Sequence, residues 1–200
     1  MSRSIVWLIA AVTLCLITLN STAQIIAPAP YSGVNKVNYV RTWDAVRPDS
    51  NASHFNMSSD LSESILNTQY IDGLGRPIES VVKKGSLVTG NTSTDLVVPV
   101  LFDEFGQQRY QYLPFAANTT GGNSSLNDGQ FKLNPFQQDS SFCKSQYSGE
   151  SSYNQINISE NSNLRRPVET FAPGDSWSGT SIQTSESNRR SARIKYWFNT

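Results

Sequence analysis

The 200-residue chain is poor in cysteine, histidine and charge: two Cys, one His, and 16% Asp, Glu, Lys and Arg. One cysteine, Cys15, lies in the N-terminal apolar run, so its removal with that segment leaves Cys143 alone and no intrachain disulfide to stabilise the fold. A lone Cys143 reads as a small buried residue. One Cys and one His, with His54 in a Ser/Asn-rich stretch, do not make a dedicated zinc site. Basic residues do not outnumber acidic ones (16 of each), which lacks the footprint of nucleic-acid binding. Arg165-Arg166 and Arg189-Arg190 are local pairs that read as solvated charges. No catalytic constellation is present, and no cofactor is implied.

The only long apolar run is Ile5 to Ile17, short for a membrane span of about 20 residues. With Arg3 before it and Ser21-Thr22-Ala23 after it, residues 1–23 read as a signal peptide cleaved before Gln24. Leu14 directly before Cys15 argues against a lipoprotein signal. Removing Arg3 with the leader leaves 15 basic and 16 acidic residues, a formal charge of −1. The expected product is exported, to the cell surface, the medium or the periplasm, with no membrane segment of its own.

What is present is a 38% hydrophobic content, enough for a core, and polarity supplied largely by Ser, Thr, Asn and Gln. That composition suits an exported all-β protein. Residues 24–36, with Pro28 and Pro30, read as an extended lead-in, and 37–200 as one β-rich module. Val37 to Trp43 alternates as a strand with Val37, Tyr39, Arg41 and Trp43 on one face. Residues 47–59 form a loop, Asp60 and Glu63 suit a capped turn, and Ser64 to Ile71 reads as a strand.

Two stretches organise the rest: Tyr70-Ile71-Asp72-Gly73-Leu74-Gly75-Arg76-Pro77 and Phe102-Asp103-Glu104-Phe105-Gly106. Each carries an Asp with Gly three residues later. The carboxylate suits backbone amides two residues on, and Gly accepts the positive φ that closes the turn. Two hairpins are expected: Ser64–Ile71 with Pro77–Lys84, and Asp95–Phe102 with Gln107–Leu113. Pro99 places its strand near an edge or at a bulge. Tyr70 and Phe102 should pack near the turns, and Arg76 should bond a carbonyl or pair with Asp72. Residues 85–94 form a turn or loop, 116–130 a mobile loop, 173–176 a turn, and Arg193 to Phe198 a final strand.

Leu164-Arg165-Arg166-Pro167-Val168-Glu169-Thr170 echoes Leu74-Gly75-Arg76-Pro77-Ile78-Glu79-Ser80 at an offset of 90. A repeated turn-to-strand unit is expected, with a turn that must differ because Arg165 replaces Gly75. The chain stops soon after its last aromatic run, which suggests a sequence cut short.

The Tyr-x-Asp-Gly-Leu-Gly-Arg-Pro stretch resembles the Tyr-Asp motif of rearrangement-hotspot (RHS/YD-repeat) proteins. Phe102–Gly106, Tyr112–Ala116, Leu164–Pro167 and Ala172–Trp177 follow it in order, similar to the N-terminal domain of unknown function on exported RHS-repeat-associated core proteins of the Bacteroidetes type. The resemblance covers roughly residues 37–198. It implies a much longer β-rich protein whose YD repeats coil into a hollow shell, with a variable C-terminal region that often carries a toxin, as in polymorphic toxin systems. The partner would then be the downstream repeat region of the same polypeptide, with cell-surface components as further expected partners.

The expected function is a non-catalytic structural module that seats, closes or displays such a shell. Its structural residues would be Tyr70, Asp72, Gly73, Gly75, Arg76, Pro77, Phe102, Asp103 and Gly106. The rival is a carbohydrate- or protein-binding surface module stacking ligand on Trp43, Trp177 and Trp197. Asp72, Glu79, Asp103 and Glu104 are weak candidates for a glycosidase pair, since turn carboxylates are occupied by backbone. Asn123–Gly129 and Gly174–Ser176 lack the ligand series of a calcium loop. The sequons at Asn51, Asn56, Asn91, Asn118, Asn123 and Asn157 read as a by-product of composition.

Overall fold

The structure, a computed structural model, describes residues 28–33, 37–86, 92–150, 152–178 and 190–197. The segment expected to be a signal peptide (1–23), residues 87–91 of the expected turn or loop, and Phe198 of the expected final strand lie outside them.

The fold is all-β apart from one sizeable helix. Strands β1 (Asn38–Ala45), β2 (Ser64–Ile71), β3 (Pro77–Val82), β4 (Leu96–Pro99) and β6 (Phe115–Ala116) form one antiparallel sheet in the order β1-β2-β3-β4-β6. Strands β5 (Tyr110–Gln111), β7 (Gln155–Ser159), β8 (Pro167–Phe171) and β9 (Ala192–Arg193) form a second, in the order β5-β7-β8-β9. The two sheets are continuous through one stretch of chain. Gln111 bridges Val100, while Phe115 and Ala116 pair with Val97 and Leu96. Residues 110–116 therefore run antiparallel to β4 as the expected second hairpin. On its other side, Tyr110 pairs with Ile156. The result is a single meander interrupted near Pro114.

Pro99 fits this geometry. It lies in an interior strand, so the edge placement is corrected. Val100 donates its amide to Ile78 O on β3, 2.8 Å. Because amides alternate sides along a strand, the amide that Pro99 lacks would face the opposite partner, where pairing lapses around Leu113 and Pro114.

The period-2 pattern decides which face is covered. In β2, Ser64, Leu66, Thr68 and Tyr70 are buried and the residues between them are exposed. Glu79 and Val81 of β3 and Val97 and Pro99 of β4 join them. Tyr70, Val81, Val97, Phe115 and Ala117 form the core, with Val37, Phe131 and Phe142 packed on it. The cover comes from residues 117–146, including helix α1 (Pro135–Gln146).

The helix has Pro at its first position, where a missing amide does no harm. It buries Phe136, Asp139 and Cys143, spaced three and four apart, together with Gln138. Only two of those four are strongly apolar, so no apolar stripe announces the helix. The lead-in docks on the same layer: Tyr31 N donates to Leu133 O and Gln137 Nε2 donates to Pro28 O, each 2.6 Å.

Two expectations need correcting. The segment 116–130 is pinned along its length: Asn118 Nδ2 donates to Gln138 O, Asn123 Nδ2 donates to Asn118 O and Ser125 O, and Asp95 N donates to Leu126 O. Its small polar residues supply the side-chain bonds that replace a ladder. The last strand is only Ala192–Arg193, its ladder ending where Ile194 N donates to Val168 O at 2.9 Å; Lys195 to Trp197 leave it, and Trp197 is 79% exposed.

Candidate functional site

The sequence-selected residues come together along one rim of the sheet. β3 is antiparallel to β4 and β5 to β7, so the turns after β2, β4 and β7 all fall at the same end of the strands. They share a bonding plan, as follows.

In the first turn, Asp72 Oδ1 accepts the amides of Leu74 and Arg76, both at 2.9 Å. Asp72 N donates to Arg76 O and Gly75 N to Asp72 O. Gly75 has φ +80°. Asp72 Oδ2 takes Arg76 Nε and Nη2, each at 2.8 Å. The Arg76 amide, then its guanidinium, holds the Asp72 carboxyl below the usual range. Gly73 has open space around it, so nothing packs where its side chain would be.

The second turn repeats this. Asp103 Oδ1 accepts Phe105 N and Gln107 N at 2.9 and 2.8 Å, Asp103 N donates to Gln107 O, and Gly106 has φ +75°. The third turn reaches the same shape by different residues. Arg165 takes the left-handed position at φ +49° and donates its amide to Ser162 O. Ser162 Oγ accepts Leu164 N at 3.2 Å, and Glu160 binds Arg166 at 2.8 and 3.0 Å. The work of one Asp is thus divided between Glu160 and Ser162. Pro77 faces Ile71 and Pro167 faces Ser159, each after a register shift, so the third loop is two residues longer. Arg166 and Ser162 together push the Glu160 carboxyl down to about 2.

Neighbouring turns touch. The Arg76 guanidinium lies over the Phe102 ring at 4.4 Å, and Arg165 over Phe105 at 3.9 Å. Gln107 Nε2 donates to Arg165 O at 3.4 Å. The middle turn is therefore clasped by an arginine from each side. Tyr70 sits below, against Phe131 at 5.1 Å, with its hydroxyl donating to Gly129 O at 3.0 Å.

A second constellation, of which the sequence singled out only Glu79, lies beneath the cover. Lys132 and Asp95 are both fully buried and bond at 2.7 Å. Lys132 Nζ also donates to Ser125 Oγ at 2.7 Å and to Asp128 Oδ1 at 3.2 Å. Asp95 Oδ2 accepts Gly129 N and Oδ1 accepts Lys84 N, both at 2.8 Å. Glu79 Oε1 accepts Lys132 N, while Oε2 has no partner among the described residues. Burial raises the Glu79 carboxyl to about 8, with Lys132 opposing and Asp95 reinforcing the shift. The pattern was not legible in the sequence, because its ammonium, Lys132, lies 37 residues from Asp95 and 53 from Glu79.

The remaining candidates separate. Trp43 is on outermost β1 and bonds Asn56 O; Trp197 lies beyond outermost β9 under Lys195; Trp177 is exposed in the short helix α2 (Asp175–Ser178). They do not form a common platform. Cys143 is buried beside Asp139, and burial pushes its thiol to about 12. His54 Nδ1 bonds Asp49 at 2.7 Å, and its Nε2 faces Asn51 Nδ2 at 3.1 Å. Ser53 Oγ donates to Asn51 Oδ1 at 2.7 Å and Ser59 Oγ to the His54 backbone carbonyl at 2.8 Å, so neither serine is bonded to the imidazole. Asp128 is taken by Ser125, Gln130 and Lys132, and Glu104 is exposed in its turn. Among the described residues no three His, Cys, Asp or Glu side chains cluster to hold a metal, and no helix is long and apolar enough to cross a membrane.

Fold and rim together define a class: an all-β meander whose hairpins are closed by acid-capped, arginine-clasped turns. Within that class, the chain belongs to the family described as a domain of unknown function (DUF6443), matched over residues 41–191. No curated protein and no solved structure matches it.

Proposed function

We propose that this domain is the non-catalytic entry module of an exported RHS/YD-repeat protein, seating or displaying a β-shell built from downstream hairpins of the same polypeptide. The observation that carries this reading is the rim: three turns of one bonding plan, side by side, on one continuous meander. A sheet assembled from such turns extends by adding further hairpins of the same kind. Its far edge is suited to that, because among the described residues β9 pairs with β8 and with no strand on its other side. The capping roles of Asp72 and Asp103 give the acidic residues a structural task.

Deleting residues 24–200 from the full reading frame tests the proposal. The expected result is a repeat region that fails to assemble or to appear at the surface. Assembly and display equal to the undeleted protein would overturn it.

A further inference from the structure

Between the second and third turns an open groove of about 540 Å³ runs from residues 107–109, just before β5, onto β7 and β8. That volume lies within the range of small-molecule clefts. Its chemistry is donor-rich. Arg109 and Arg165 both line it, and among the described residues neither forms a salt bridge. Asn157 sits on its floor with an oriented amide: Oδ1 accepts from Thr170 Oγ1 and from Gln155 Nε2, each at 3.1 Å. With the oxygen engaged, Nδ2 is the group left to donate.

Asp103 also lines the groove, but its Oδ1 is occupied by two backbone amides. Gln107, Gln108, Ser159 and Thr170 add hydroxyls and amides, and Ile158 and Pro167 add an apolar wall of the kind a sugar ring face packs on. Two guanidiniums and one carboxylate leave a net positive groove that still offers acceptors to hydroxyl groups. On its β5 side, β7 is paired as far as Asn157, whose amide donates to Arg109 O at 2.9 Å; among the described residues that leaves Ile158 and Ser159 without a ladder there, too short a run for an added peptide strand. The arrangement matches a ligand that carries one carboxylate among many hydroxyls.

We propose that this groove binds a carboxylated sugar unit of an acidic glycan, with Arg109 and Arg165 on the carboxylate and Asn157, Gln108 and Asp103 on the hydroxyls. This inference is independent of the shell-seating role, since it rests on the groove alone.

Titration calorimetry of the chain without residues 1–23 tests it, using trimers of galacturonate, glucuronate and mannuronate, their methyl esters, and a Glu-rich peptide. At least one acid trimer should bind, with its methyl ester at least tenfold weaker. Arg109→Gln and Asn157→Asp should each weaken binding at least tenfold; Asn157→Asp keeps the oxygen that Thr170 and Gln155 contact. Circular dichroism melts matching the parent would show that the variants fold. The proposal is overturned if no trimer binds, if ester and acid bind alike, if the peptide binds more tightly, or if folded variants bind as the parent does.

Discussion

Arg165 and Gly75 occupy equivalent places in two turns and adopt the same hand of backbone, at φ +49° and +80°. A side chain in that region costs about 1–2 kcal/mol, and Arg165 offsets part of this through its stack on Phe105, about 0.5–1 kcal/mol at an exposed site. Gly75→Ala should therefore destabilise by about 1–2 kcal/mol, from new strain alone. Arg165→Ala should cost only the stack, about 0.5–1 kcal/mol. Urea unfolding of both variants checks the ranking, and equal losses would contradict it. The echo of Leu-x-Arg-Pro was legible as a repeat. How the third turn manages without Gly was not, because Ser162 and Glu160 stand outside the matching string.

Glu79 is the residue with the clearest pH signature. Its folded value, about 8, lies above the usual 4.5, so the folded chain keeps a proton that the unfolded chain releases across that window. Stability must then fall as pH rises from about 4.5 to about 8, by on the order of 1 kcal/mol per unit, and level off above it. Glu79→Gln, neutral at every pH, should flatten the urea midpoint between pH 6 and 8. The slope below pH 6 persists, because burial raises Asp139 to about 6 in the same direction. An unchanged slope in the variant would show that Glu79 is ionised in the fold.

At the scale of elements, the cover over the inner face is fastened by charge as much as by apolar packing. Lys132 reaches from the covering segment to Asp95 at the start of β4, with both side chains fully buried. Removing one partner strands the other, which costs about 3–5 kcal/mol, whereas an apolar pair of similar volume is often neutral. Lys132→Met should thus lower stability by about 3–5 kcal/mol, and adding Asp95→Asn, which removes the stranded charge and keeps an acceptor for the amides of Gly129 and Lys84, should recover part of it. Chemical denaturation of the single and double variants checks this; a double variant weaker than the sum of two singles would contradict a paired role.

The strands were legible because their chemistry is local. Alternation over Ser64–Ile71 and the Asp-to-Gly spacing at Asp72 and Asp103 each specify their own geometry. Helix α1 and the pinned loop were not, since Gln138 and Lys132 are buried with partners distant in sequence, Asn118 and Asp95. Asn118 and Asn123 show the same thing: two sequons whose amides are engaged in the loop's own bonding.

At the scale of the whole molecule, the three turns convert separate hairpins into one sheet with a defined rim. Each arginine contact joins a turn to its neighbour, so the rim links β2–β3, β4–β5 and β7–β8 in sequence. The all-β class and the ordered turns could be read in advance; the continuity of the two sheets depends on residues 110–116 serving partners on both sides, which no local pattern announces. The most direct test of the account is a cryo-electron-microscopy map of the protein encoded by the full reading frame. The account predicts further hairpins pairing onto the β9 edge, with their turns along the rim of Asp72, Asp103 and Arg165. A domain held apart on a linker, with that edge uncovered, would contradict it.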